Sequence, residues 1–242
     1  MNLVVEVERD DAVELAERSL AELHLKAGWV TAAEARDDEP EAYDERLARL
    51  CSESPSLLPV PALLPPAGLP GAYDRARRIA AAARWRVVRL CPTAHRYALV
   101  DWVLSPLPEL CEREGLAVVL DFAPDPVPWR DVVELARVYP TLPLVVLGVE
   151  LGADRSVAAV LDTAPNVICA VADLRSARHL ARLCELFGAS RFVCGSDGRG
   201  DRARVFDAIA GSADLADDTR GAVLEANAEA LAHGRYADTF LS

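Results

Sequence analysis

The sequence predicts an α/β protein of the (β/α)8 TIM-barrel class, with residues 1–242 forming a single domain. Three observations carry this reading. Apolar bursts of strand length alternate with helix-length amphipathic segments along the whole chain. The bursts are continuous rather than alternating, as parallel strands covered on both faces require. Eight of them, each followed by a helical segment, fit 242 residues. An open doubly wound sheet has the same rhythm and is the alternative fold.

In order, the predicted strands are LVVEV (3–7), WVTAA (29–33), LLPVPALL (57–64), RVVRL (86–90), AVVLDF (117–122), LVVLGV (144–149), VICAV (167–171) and RFVC (191–194). Between them lie DDAVELAERSLAELHL, PEAYDERLARL, YDRARRIAAAARW, VDWVLSPLPELCERE and PWRDVVELARVY, whose apolar residues recur at spacings of three and four. That spacing places them on one helical face, turned toward a core. Turn residues punctuate the pattern: Pro140 before the sixth burst, Pro165-Asn166 before the seventh and Gly188 before the eighth. Residues 37–47, DDEPEAYDERL, read as a solvated loop leading into a helix.

Composition narrows the function classes. A formal net charge of -12 argues against a nucleic-acid or anionic-membrane partner, since both require clustered positive charge. The longest apolar run, LLPVPALLPP, is broken by prolines and is too short for a bilayer. The six cysteines are scattered without a Cys-x-x-Cys pair, which suits packed thiols in a reducing compartment. No secretory pattern opens MNLVVEVERDD, so the expected location is cytoplasmic. The single lysine, Lys26, sits between elements rather than at a strand end, which argues against Schiff-base chemistry.

In a barrel the active face lies at the C-terminal ends of the strands. Polar residues expected there are Glu6 and Glu8 on the first strand, Arg89 on the fourth, Asp121 on the fifth and Asp197 after the eighth. His95 lies in the CPTAHRY loop after the fourth strand, with Tyr97 and Trp102 as candidate pocket aromatics. Alternation puts Glu6 and Glu8 on one face of their strand.

The second half resembles the amidohydrolase-related TIM-barrel family, metal-dependent hydrolases and decarboxylases of aromatic and lactone substrates. The segments that carry the likeness are GLAVVLDF (115–122), YPTLPLVVLG (139–148), PNVICAVADL (165–174), RFVCGSDGRG (191–200) and DDTRGAVLEANAEALAH (217–233). Gly195-Ser196-Asp197 is the most specific piece. The resemblance implies a metal site, yet this chain departs from it. Glu6-Val7-Glu8 stands where the family has His-x-His, Asp121 replaces the histidine ending the fifth strand, and Gly148 replaces the one ending the sixth. His24, His179 and His233 fall in helical segments, so only His95 remains for the mouth. A catalytic zinc takes about three nitrogen or sulfur ligands plus an open position, so no zinc-type cofactor is expected.

Each candidate has a functional and a structural reading. Asp197 is a catalytic base, or a cap for the turn that follows it. Asp121 and Arg89 are a buried ion pair, or an anion clamp in which Arg89 grips a substrate carboxylate and Asp121 orients it. Glu6 and Glu8 are substrate contacts, or oxygen ligands of magnesium or manganese alongside Asp121 and Asp197. His95 is an acid–base group, or a loop histidine bonded to a backbone carbonyl. Gly198-Arg199-Gly200 is a flexible turn, or a phosphate cradle in which Arg199 adds charge.

The expected function is a hydrolase or lyase of a small carboxylated organic substrate, with a degenerate metal site. Asp197, Asp121 and His95 are its catalytic candidates; Arg89, Glu6, Glu8 and Arg199 are its substrate-binding candidates. The alternatives are a catalytically inactive barrel serving as a binding or regulatory protein, and a phosphate-binding isomerase. A small molecule is the expected partner, and assembly into a homo-oligomer is compatible with the sequence.

Overall fold

The computed structural model describes residues 4–7, 17–18, 20–21, 27–82, 84, 86–123, 125–149, 151, 154–171, 176–195 and 202–236. Its strands are β1 (Val4–Val7), β2 (Gly28–Ala32), β3 (Leu57–Pro59), β4 (Ala62–Leu63), β5 (Val87–Leu90), β6 (Ala117–Asp121), β7 (Leu144–Leu147), β8 (Val167–Val171) and β9 (Phe192–Cys194). All ladders are parallel and join consecutive strands, in the orders β1-β2-β3 and β4 through β9. A doubly wound sheet reverses its strand order at a switch point. Among the described residues the order does not reverse, and the chain adopts the (β/α)8 barrel architecture.

Two prolines divide the predicted third burst into β3 and β4. Val60 N–H donates back to Val30 O at 2.8 Å, whereas Pro61 has no N–H and its carbonyl instead accepts from Arg89 N at 2.9 Å. The segment therefore hands its hydrogen bonds from one neighbour to the next. With β3 and β4 counted as one stave, the eight predicted strands are all present.

Side-chain alternation along these strands separates two cores. Val87, Val119, Val145, Ile168, Ala170 and Val193 share an inner cluster with Trp29 and Val60. Their neighbours Val88, Val118, Leu120, Val146, Cys169 and Phe192 belong to a second cluster with residues of the surrounding helices. Those helices include α1 (Asp44–Glu53), α2 (Ala72–Ala81), α3 (Asp101–Leu104), α4 (Leu107–Glu114), α5 (Trp129–Val138), α6 (Ser156–Thr163), α7 (Ala177–Phe187) and α8 (Arg202–Ala210). The predicted VDWVLSPLPELCERE helix is split into α3 and α4 where Pro106 removes a backbone donor.

Polar side chains fasten the barrel by binding backbone. Arg191 is buried and gives its three guanidinium nitrogens to the carbonyls of Val167 (2.8 Å), Leu161 (3.0 Å) and Ala164 (2.6 Å). It thereby caps the C-terminal end of α6, where a cation complements the helix dipole. Asn166 Nδ2 donates to Tyr139 O and Leu142 O, each at 2.8 Å. In the closing helical segment, α9 (Asp217–Gly221), a π-turn (Ala222–Ala226) and α10 (Asn227–Ala232) run on from one another. Asn227 Nδ2 there donates to Ala189 O and Phe192 O, each at 2.8 Å, holding that segment to the last strand. No helix among the described residues is long and apolar enough to cross a membrane.

Candidate active site at the strand ends

Arg89 and Asp121 come from neighbouring staves and point into the barrel. Register pairs Arg89 with Val119, so Asp121 stands two residues further along β6 and the long arginine side chain spans the difference. Arg89 Nη2 donates to Asp121 Oδ2 at 3.3 Å, and the two residues are 1% and 2% exposed. Asp121 Oδ1 accepts the N–H of Ala123 at 3.1 Å, so the carboxylate also caps its own turn.

Gly148, at the end of the sixth stave, completes this layer by leaving it no further side chain. Its φ of +69° lies in the left-handed region that glycine alone adopts freely. A Cβ built there would meet Ala123 N at 2.7 Å, Ala123 Cβ at 2.8 Å and Asp121 Oδ1 at 3.1 Å. The turn after the fifth stave therefore occupies the space a side chain at position 148 would need.

Above the ion pair, three strand-end loops are stitched together. Ala94 N–H donates to Asp125 Oδ1 at 2.7 Å, and Thr93 Oγ1–H donates to Pro126 O at 2.7 Å. His95 Nε2 lies 3.1 Å from Ala35 O in the loop after β2. His95 also stacks on Tyr97, with ring centroids 6.5 Å apart. At the rim, Arg36 pairs with Asp37 at 3.0 Å.

Burial dominates the electrostatics of this layer. Asp125 is buried, and desolvation raises its carboxyl pKa against the opposing effect of the Ala94 and Thr93 N–H groups, Arg89 and His95. Desolvation likewise pushes Cys91 up to about 12 and Tyr97 well above the usual phenol value. Asp37 is held below the usual carboxylate value, chiefly by its hydrogen bond to Arg36.

Of the predicted site residues, the structure brings together Arg89 and Asp121, and it sets His95 in the loop layer beside them. The carbonyl-bonded histidine and the buried ion pair are both realised. Glu6 lies in β1, its Cα in register with Thr31. Glu8, Asp197 and Arg199 lie outside the described residues. Trp102 is 78% exposed on α3, so it does not line a pocket as expected. Asp125 was missed: it follows a proline in the DFAPDP turn, where no periodicity applies, and only its closeness to a strand end hinted at it.

The described donors do not suit a divalent ion. Both Asp121 oxygens are engaged, one by a guanidinium, and Gly148 offers no side-chain ligand atom. Among the described residues no group of three histidine, cysteine or carboxylate side chains is placed to hold a metal.

The family model described as Amidohydrolase matches residues 6–231. Among curated proteins none matches the sequence. Solved structures are similar over nearly the whole chain. An uncharacterised TIM-barrel protein from Bordetella bronchiseptica superposes with a TM-score of 0.72 at 18% identity, covering 92% of this chain and 83% of its own. The 5-carboxyvanillate decarboxylase of Sphingomonas paucimobilis gives 0.71 at 13% identity, covering 89% and 81%. The enzyme of the same name from Novosphingobium aromaticivorans, complexed with manganese and 4-hydroxy-3-methoxy-5-nitrobenzoic acid, gives 0.71 at 9% identity, covering 96% and 95%. At these identities the likeness establishes the fold.

Proposed function

The chain belongs to the amidohydrolase family, and from that premise we propose that it is a lyase- or hydrolase-type enzyme acting on a small organic carboxylate. The observation that carries the proposal is the Arg89 Nη2–Asp121 Oδ2 contact. Asp121 falls where the resemblance puts a metal-binding histidine, so Arg89 brings a fixed positive charge to the place the family gives to a metal. A guanidinium grips a carboxylate through two parallel N–H donors, as a compact ion does not. The decarboxylases among the similar structures are named for aromatic acids, which fits that substrate class.

For a decarboxylation, the bond between the substrate carbon and its carboxylate breaks and carbon dioxide leaves. The electron pair stays on carbon and is then closed by a proton from an acid of the mouth. Positive charge aimed at the developing anion lowers that barrier. In this reading Arg89 anchors the substrate through an anionic group that stays on the product rather than through the departing carboxylate, Asp121 orients it, His95 and Asp197 handle the proton, and Glu6, Glu8 and Arg199 contact the substrate. Access to Arg89 requires the loops over it to part. Magnesium or manganese, the latter bound in similar structures, is the competing source of charge and would need Glu6, Glu8 and Asp197 as ligands.

A second reading, a catalytically inactive barrel kept as a binding or regulatory protein, is favoured by the burial of Arg89 and Asp121 against each other. One experiment separates the readings. The protein is screened by thermal shift and turnover against hydroxybenzoates, aliphatic carboxylates and inorganic phosphate, in EDTA and with Mn2+ or Mg2+. Stabilisation by a carboxylate in EDTA, with turnover, and its loss in Arg89→Lys support the proposal. Turnover only with a divalent ion overturns the guanidinium version, and no carboxylate response in either condition overturns the proposal altogether.

A further inference from the structure

His95 is held through one ring nitrogen, and the geometry assigns its hydrogens. Nε2 lies 3.1 Å from Ala35 O. A peptide carbonyl only accepts, so Nε2 carries the hydrogen, and in the neutral ring Nδ1 keeps the lone pair. Nδ1 is shielded from solvent, and among the described residues no donor reaches it. The ring is thus a one-sided base whose orientation depends on what holds the 91–97 turn.

That turn is held by Asp125. Its Oδ1 accepts Ala94 N–H at 2.7 Å, one residue before the histidine. Asp125 is in turn tied to the ion-pair layer: its own N–H donates to Asp121 O at 3.1 Å, and Asp121 Oδ1 accepts Ala123 N–H at 3.1 Å. A continuous path therefore runs from the fifth stave through Asp121, Asp125 and Ala94 to the imidazole, and ends at Ala35 O. Thr93 adds the parallel bond to Pro126 O. The carboxylate is 1% exposed, so water does not compete for the Ala94 bond.

We propose that Asp125 is the positioning residue for His95: its clamp on Ala94 keeps the imidazole in the Nε2–H form and reserves Nδ1 as the basic atom of the mouth. The catalytic meaning of this assignment rests on the reading of His95 as a proton-handling group. The tautomer itself is a property of the ligand-free protein, so the two fail separately.

The test uses the full chain labelled with 15N and long-range 1H–15N correlation of its four imidazoles, the His95 signals being those lost in His95→Gln. The wild type should show the Nε2–H pattern. Asp125→Ala should move the tautomer ratio toward Nδ1–H by about fivefold, the effect of one lost hydrogen bond. Asp125→Asn, whose amide oxygen still accepts from Ala94, should keep the wild-type pattern. Should Asp125→Ala fail to fold, Asp125→Ser carries the same expectation with a side chain too short to reach Ala94. An Nδ1–H form in the wild type overturns the assignment, as does an unchanged ratio in a folded Ala or Ser variant. Absence of turnover would leave the tautomer result standing.

Discussion

Arg89 and Asp121 close on each other across neighbouring staves, Nη2 to Oδ2 at 3.3 Å, with each side chain 2% exposed. Breaking a buried pair from one side leaves a charge without compensation, at a cost of about 3–5 kcal/mol. Arg89→Met and Asp121→Leu should each lose stability on that scale in urea unfolding. The double variant should lose less than either single change, because apolar groups replace both charges. If instead the double variant's loss equals the sum of the singles, the pair is not coupled in the way the contact implies.

Gly148 stands where the resemblance puts a metal-binding histidine, and reintroducing one should fail. A side chain there meets the backbone nitrogen of Ala123 at 2.7 Å and must adopt φ +69°. Left-handed strain alone costs about 1–3 kcal/mol for a non-glycine residue, and the backbone clash adds to it. Gly148→Ala and Gly148→His should both lower the melting temperature, and Gly148→His should not gain manganese by elemental analysis. A stable, metal-loaded Gly148→His protein would show that the turn at Ala123 yields.

Burial raises the carboxyl pKa of Asp125 above its value of 3.8 in the unfolded chain. The folded protein therefore binds this proton more tightly than the unfolded chain does. Its contribution to stability is fully present below pH 3.8 and is lost as the pH rises through the folded value. Asp125→Asn, which does not titrate, should lack that component. Unfolding free energies of the two proteins, measured from about pH 3.5 upward, should diverge with wild type falling relative to the variant. A parallel pair of curves would place the carboxylate in a more polar setting than the geometry gives.

The strands were legible because a stave buried on both faces leaves an unbroken apolar run, and each of the eight runs became one stave. The site was legible only where a polar residue interrupts such a run. Arg89 in RVVRL and Asp121 in VVLDF were visible for that reason, and the need of a buried carboxylate for a partner, with Arg89 one strand earlier, suggested that they meet. Asp125 sits in a loop, where position depends on tertiary bonds that have no local period. Asn227 shows the opposite limit: its motif was visible, but its work, binding Ala189 O and Phe192 O, appears only when the closing helix meets the last strand.

Asn227 gives a prediction far from the mouth. One amide nitrogen satisfies two backbone carbonyls at 2.8 Å. Replacing it by leucine leaves both acceptors without their donor, at about 1–3 kcal/mol for each buried group so stranded. Asn227→Leu should be destabilised by several times the effect of a surface change such as Glu229→Ala in the same helix, read by urea midpoint at an unchanged slope.

The thiols supply the last test. Cys51, Cys91, Cys111, Cys169, Cys184 and Cys194 are all buried and unpaired, and desolvation pushes each up to about 12. The thiolate is the nucleophile, so a thiol that is both protonated and covered reacts only when the fold opens. Treatment of native protein with an aromatic disulfide reagent at pH 8 should release almost no thiolate dye, whereas the denatured chain should titrate all six cysteines. Prompt reaction of one cysteine in the native protein would mark a strand or helix that opens far more readily than its burial allows. Cys91, at the base of the loop that carries His95, is where such an opening would bear on the mouth, and its protection should respond to Asp125→Ala before that of the others.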